Sequence, residues 1–281
     1  MKNKIWITGI NGVLAKYLAL EMESLGYVVI PLHHDLEEAN KSFEQHKNEA
    51  FALIHCAFAR NENIDELESS VEFTRRITQA MIQYRIPNVI NISSQSVYEN
   101  SKDIVCVNEE VSVYPSSNYA KAKLKAENLF LEICKNNMND GSYSSIRLGS
   151  LIAPELQQRI VNRLIDIGRN SGELHIQNSQ RAFQYLDVRD AVNGIAKMLG
   201  KCGKWNELYC LTAKRTLELG EIARSIREYA KSKNCDVEIS YEENKQCFNF
   251  VYVQSEKFRC DFDWKERYDI SDSIQYIWEA R

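Results

Sequence analysis

Little in this sequence is punctuated or biased. Four prolines and eleven glycines in 281 residues leave no proline-rich, glycine-rich or repeated segment. No apolar run approaches the roughly 18 residues that suggest a membrane-spanning helix. The apolar stretch Ile5-Trp6-Ile7 near the amino terminus is too short for a signal-peptide core, and Gly9 cuts it off. There is no Cys-x-x-Cys pair: Cys56, Cys106, Cys134, Cys202, Cys210, Cys235, Cys247 and Cys260 are scattered. That pattern offers no metal site and no dense disulfide framework, so reduced thiols in a cytoplasmic protein are expected. No basic run occurs and the net charge is only -4, so neither nucleic acid nor an anionic membrane is implied as a partner. What remains is ordinary globular composition, 44% hydrophobic and 26% charged, which excludes a disordered chain.

The first half alternates short apolar runs with longer amphipathic ones. Strands are expected at Ile5–Ile7, Tyr27–Leu32, Phe51–Ala57, Asn88–Ser93 and Ser144–Ile152. Helices are expected at Val13–Leu25, Leu67–Tyr84 and from Ser117 onward, while Asp35–Glu49 should begin as a loop and end as a helix. Strands and helices alternating at this spacing imply right-handed crossovers and an α/β fold, a Rossmann-type doubly wound parallel sheet. The second half is less regular. Helices are expected at Leu156–Gly168, Val188–Leu199, Leu217–Ser232 and Ile270–Ala280, with strands at Glu173–Gln177, Leu208–Thr212 and Val237–Tyr241. We expect residues 1–154 to form a nucleotide-binding core to which 183–213 return, with 155–182 and 214–281 building a smaller substrate lobe.

Thr8-Gly9-Ile10-Asn11-Gly12-Val13-Leu14-Ala15 lies between the first strand and the first helix. The first glycine permits a tight turn, the second lets backbone approach a pyrophosphate, and small Ala15 allows helix and strand to pack closely. The helix N-terminus then offers N–H groups and a positive dipole end to phosphates. The second strand runs into Ile30-Pro31-Leu32-His33-His34-Asp35, where no carboxylate closes the strand, so NAD and NADP are both open.

Ser117-Asn118-Tyr119-Ala120-Lys121-Ala122-Lys123 opens a helix that puts Tyr119 and Lys123 on one face. A phenol with a pKa of about 10 is a poor base at neutrality, and a neighbouring ammonium favours its phenolate. Upstream, a strand ends in Ser93-Ser94-Gln95-Ser96-Val97-Tyr98. Ser94 thus sits at a strand's carboxyl end, where parallel sheets place ligands.

Taken in order, these stretches resemble the extended short-chain dehydrogenase/reductases, the NAD-dependent epimerase/dehydratase group. Leu53 to Ala57 resembles its His-x-Ala strand and Ser93 to Tyr98 its Ser-Ser-x-x-Val-Tyr stretch. Tyr119, Lys123 and Glu127 resemble its Tyr-x-x-x-Lys-x-x-x-Glu helix. Arg147 to Pro154, Tyr185 to Ala191 and Asp261 to Trp264 resemble three later motifs. The resemblance implies a catalytic Ser94, Tyr119 and Lys123. It implies NAD or NADP held by Gly9, Asn11, Gly12, Val13, Leu14, His33, Asp35, Leu36, Cys56 and Ala57 with Tyr119 and Lys123. It implies substrate contacts from Ser94, Gln95, Ser96, Ser150 and Arg181, no metal, and a homodimer.

The departures narrow the chemistry. Gln95 and Ser96 stand where dehydratases of this group carry an acidic pair, and Ser96 where combined epimerase-reductases carry a cysteine. Ser150 replaces an asparagine that holds a sugar diphosphate, and Phe183 an arginine. The implied activity is an NAD(P)-dependent epimerase or ketoreductase acting on a secondary alcohol or ketone, of a nucleotide-linked sugar. A reductase of non-sugar carbonyls and a non-catalytic NAD(P)-sensing protein are the alternatives. Arg147, Arg159, Arg163 and Arg181 are candidate anion contacts, each with a solvated or salt-bridged role as its alternative.

Overall fold

Apolar residues with few interruptions, as in Lys4–Thr8, mark strands buried on both faces, and the chain builds its centre from six of them. The computed structural model describes residues 3–98, 106–203, 205–242 and 250–281. In chain order the first half runs β1 (Lys4–Thr8), α1 (Val13–Ser24), β2 (Val28–Leu32), α2 (Leu36–His46), β3 (Ala50–His55), α3 (Ile64–Gln83) and β4 (Asn88–Ser94). It continues with a 3-10 turn (Gln95–Tyr98), β5 (Cys106–Val107), α4 (Asn118–Asn137) and β6 (Ser142–Leu148). The second half holds β7 (Ser150–Ile152), α5 (Ile160–Ser171), β8 (Glu173–Gln177), β9 (Ala182–Phe183), β10 (Tyr185–Asp187), α6 (Val188–Leu199) and β11 (Leu208–Leu211). It closes with β12 (Leu217–Glu218), α7 (Leu219–Ser232), β13 (Glu238–Glu242), β14 (Tyr252–Val253), α8 (Glu256–Phe262) and α9 (Ile270–Glu279).

The central sheet has the order β11-β6-β4-β3-β1-β2 and every pairing in it is parallel. Alternate side chains feed opposite faces. Ile5, Ile7, Ala52, Ile54, Ile90 and Ile146 pack with α1, α6 and α8. Trp6, Leu53 and Val89 pack on the other face with α2, α3 and α4, through Phe43, Ile77, Met81 and Phe130. A second cluster gathers Ile152, α5, β8, α7 and α9. Among the described residues no helix is long and apolar enough to cross a membrane.

Four local differences from the expected elements have physical causes. α2 starts at once at Leu36, because the Asp35 carboxylate accepts hydrogen bonds from Glu37 N and Glu38 N and caps it. The strand expected over Ser144–Ile152 is two strands. It breaks at Gly149, where a Cβ would lie 3.2 Å from the Thr212 backbone, and β7 leaves the main sheet to pair with β10. α5 begins four residues late, since residues 153–159 turn on Leu156 N to Ala153 O and Arg159 N to Leu156 O bonds. α8 was not expected at all. Its Phe258 and Phe262, with Trp264, pack in the cluster of β11 and α6, although they come from the stretch expected in the lobe. Gly194 of α6 makes room: a Cβ there would be 3.1 Å from Trp264 Nε1.

One ion pair ties α4 to the sheet. Arg147 of β6 and Glu127 of α4 meet at 2.7 Å with side-chain exposures of 6% and 1%. The third guanidinium nitrogen donates to the Tyr98 hydroxyl at 2.6 Å, which in turn donates to Asn108 O. Breaking such a pair strands a buried charge. Glu127→Gln is therefore expected to cost about 3–5 kcal/mol in urea denaturation, and the apolar double change Glu127→Leu with Arg147→Met to cost much less. A single variant within experimental error of wild type would show that the pair does not anchor α4.

Candidate active site

In the strand order, β1 is followed by β2 on one side and β3 on the other, so the chain reverses direction between β1 and β3. Above such a switch point the crossover helices diverge and leave a crevice at the carboxyl ends of the strands. A cleft of about 700 Å³ lies there.

Its floor is set by a close approach. Gly9 has φ +68°, and a Cβ on it would lie 2.8 Å from both Ala57 N and Ala57 Cα; no other residue type fits. Thr8 holds the two loops together. Its Oγ1 accepts hydrogen bonds from Cys56 N (3.0 Å) and Ala57 N (3.1 Å) and lies 2.8 Å from His55 Nδ1. With both lone pairs used, the Thr8 hydroxyl donates to Nδ1. His55 Nε2 then carries the proton and donates to Thr74 Oγ1 at 3.0 Å, which donates to Ser70 O. Burial, with the charge of Lys123, pushes the His55 pKa down to about 3, so the ring stays neutral.

Gly12 is the N-cap of α1 and supplies no side-chain cap, and the first turn carries no acidic residue. Gly12, Val13 and Leu14 line the cleft, and buried Ala15 packs against the core. The open N–H groups and dipole end of α1 therefore face a cavity where backbone can touch a pyrophosphate. The turn fits a dinucleotide. Among the described residues no three His, Cys, Asp or Glu side chains are grouped to hold a metal.

The same cleft gathers Ser94, Gln95, Ser96, Tyr119, Lys123, Ser150 and Cys56. Ser117 caps α4 by accepting from Ala120 N, and Tyr119 and Lys123 follow on one helical face. The Lys123 ammonium donates to Ile92 O at 2.8 Å and sits 3.9 Å from the Phe58 ring centroid. Burial lowers its pKa to about 7, opposed by Cys56 and Glu127; the Cys56 thiol is in turn pushed up to about 12 by burial. Ser94 Oγ accepts from Ser96 N (3.2 Å) and from Ser96 Oγ (2.9 Å). Both of its lone pairs are thus used, leaving its own proton to donate. Gln95 donates to Ser150 Oγ at 3.1 Å, and its buried Oε1 has no partner.

The other expected site residues do not line the cleft. Asn11 is exposed at the turn and His33 is exposed after β2. Asp35 commits its carboxylate to the α2 cap. Leu36 packs on the cluster beneath α2 and α3. Ala57 is buried against Gly9 and contributes through its backbone. Arg181 lies over the Phe183 ring. Among the candidate anion contacts Arg147 is consumed by Glu127 and Arg163 is exposed away from the cleft; Arg159 lines it.

The sequence reading missed the loop after β3. Phe58 stands under Lys123 and meets Tyr119 edge-on, with centroids 6.2 Å apart. The Glu62 carboxylate accepts from Asn118 N at 2.8 Å and from Tyr119 N at 3.4 Å, tying that loop to the first turn of α4. The available signal was position: these residues directly follow a strand beside the switch point. Phe250, Val251 and Val253 also line the cleft; β14 brings them there by pairing with β5, which no local pattern announces.

Comparison with known proteins gives the following. Residues 5–209 match the model of the NAD dependent epimerase/dehydratase family. An Arabidopsis thaliana protein named Probable UDP-arabinose 4-epimerase 3 is 23% identical over 280 residues, 87% of this chain. The chain spans 65% of that relative's length. The UDP-N-acetylglucosamine 4-epimerase of Bacillus cereus superposes with a TM-score of 0.83 at 19% identity, covering 99% of both chains. MoeE5, solved with UDP-glucuronic acid and NAD, gives 0.79 at 16% identity, covering 99% of this chain and 98% of its own. At these identities the two structures share the fold.

Two outcomes follow from this geometry. Gly9→Ala is expected to lower NAD(P) affinity at least about tenfold (1.4 kcal/mol), read by titration, with the far-UV circular dichroism retained. Unchanged affinity would show the close approach to be dispensable. For Lys123, a folded pKa near 7 lies below the unfolded value of about 10.4. The unfolded chain then binds more protons between these values, so this residue makes stability rise with pH across that window, by at most about 1.4 kcal/mol per unit. The unfolding free energy between pH 7.5 and 9.5 should therefore climb more steeply in wild type than in Lys123→Met; equal slopes would contradict the lowered Lys123 pKa.

Proposed function

The chain belongs to the NAD dependent epimerase/dehydratase family, and we propose that it is an NAD(P)-dependent epimerase or ketoreductase of a nucleotide-linked sugar. The observation that carries this reading is that Ser94, Tyr119 and Lys123 line the same cleft as Gly9 and the open N-terminus of α1. Gly9, Gly12, Val13 and Leu14 would hold the pyrophosphate and Cys56 and Lys123 the part nearer Tyr119. NAD(P), when bound, supplies the hydride acceptor and donor.

Tyr119 takes the proton of a substrate secondary hydroxyl onto its phenolic oxygen as the carbon is oxidised, and returns it on reduction. The Lys123 ammonium, four residues along the same face, favours the phenolate that this requires. Burial lowers the Lys123 pKa to about 7, and a phenolate beside it opposes that shift and favours the ammonium. Ser94 directs its remaining proton to the substrate oxygen and polarises it. Gln95 and Ser96 are neutral and hydrogen-bonded to Ser150 and Ser94. They offer no carboxylate to remove a carbon-bound proton, which favours epimerisation or ketone reduction over loss of water. The 4-epimerase names of the relatives support a sugar nucleotide as substrate. Residues 155–182 and 214–281, apart from α8 and Trp264, which pack against the central sheet, would supply its lobe. We extend the reading to a homodimer through the outer faces of α3 and α4, which a sedimentation mass of one chain would refute.

Tyr119→Phe is expected to lower turnover of UDP-linked sugars or their 4-keto forms by about 10²–10⁴-fold, with NAD(P) binding unchanged. Tight cofactor binding by wild type without conversion of any sugar nucleotide would sink the reading.

A further inference from the structure

Two arginines reach the cleft from different parts of the fold, Arg60 from the loop after β3 and Arg159 from the N-cap of α5. Neither forms an ion pair or a side-chain hydrogen bond with any described residue. Arg159 Nε is buried without a partner. The neighbouring charges do not satisfy them. Glu62, the carboxylate lining the same cleft, is committed to Asn118 N and Tyr119 N. Lys123 adds a further positive charge, held by Ile92 O. Burial, together with the like charge of Arg60, makes the Arg159 cation harder to keep, while the nearby Tyr185 and Tyr119 phenols oppose this. Partly buried Arg159 carries an uncompensated desolvation and exposed Arg60 adds repulsion, and a bound oxyanion relieves both through the planar donor fork that suits phosphoryl and carboxylate groups.

We propose that Arg60 and Arg159 form an oxyanion subsite for the substrate, taking a phosphoryl or carboxylate group between the loop after β3 and the start of α5. It rests on the reading that the cleft binds a nucleotide-linked sugar. Arg159 lines the cleft with Tyr119 and feels its phenol, so the subsite serves the substrate, and the α1 turn serves the cofactor.

The test is calorimetric titration of the NAD-loaded protein with inorganic pyrophosphate, UDP, UDP-glucose and UDP-glucuronate, for wild type, Arg60→Gln, Arg159→Gln and Arg159→Lys. The Gln variants are expected to weaken binding by about 10- to 100-fold, and Arg159→Lys by less, since it keeps charge but loses the fork. Weakened pyrophosphate and UDP binding would place a phosphoryl group in the subsite; weakening confined to UDP-glucuronate would place a carboxylate there. Unchanged affinity in both Gln variants, no binding of any probe by wild type, or a loss confined to NAD affinity would overturn the proposal. Arg60 is exposed, so its variant stays informative if Arg159→Gln fails to fold. Arginine-dependent UDP binding without turnover would refute the proposed reaction and leave the subsite standing.

Discussion

At the carboxyl ends of β1 and β3 the backbone of Gly9 runs so near Ala57 that a single added carbon would lie 2.8 Å from it. The cleft depends on that contact. It exists because Thr8 accepts hydrogen bonds from both Cys56 N and Ala57 N, and because the Thr8 proton is taken by a His55 kept neutral by burial. The chain of donors ends at Thr74 and Ser70 on α3, so the glycine turn, the loop after β3 and a helix are fixed by one run of hydrogen bonds. A protonated His55 would have two donors and no acceptor role, and the run would break.

From this anchor the loop after β3 is directed over α4. Phe58 supports the Lys123 ammonium, and Glu62 holds the first turn of α4 by the backbone of Asn118 and Tyr119. The wall facing α1 thus also positions Tyr119 and Lys123. Behind it, the Arg147–Glu127 pair secures α4 to β6, and the break at Gly149 turns the chain out of the sheet so that Ser150 reaches the cleft.

Among its described lining residues the cleft carries more positive than negative charge. Arg60, Arg159 and protonated Lys123 are cations, and the carboxylate, Glu62, is already engaged at a helix N-terminus. Positive potential in a partly enclosed cavity favours anionic ligands and a phenolate on Tyr119. On the proposed function, cofactor phosphates, a substrate oxyanion and the Tyr119 phenol would all draw on the same field.

The elements that local pattern determines were legible: the buried strands, the glycine turn, and the four-residue spacing of Tyr119 and Lys123. The serine at the end of β4 was legible for the same reason, since a strand's period and a helix's pitch are set by nearest neighbours in sequence. The family resemblance followed from these short stretches, as each of them carries its geometry within it. What tertiary structure alone decided is which side chains face the cleft across long separations. Among four candidate arginines, burial and partners left Arg159 there and consumed Arg147 in the core. Asp35, a cofactor contact implied by the resemblance, caps the helix that starts one residue later through its carboxylate. Phe58, Glu62 and Phe250 have no periodic signature, because their roles arise from contacts between segments that only the folded chain brings together.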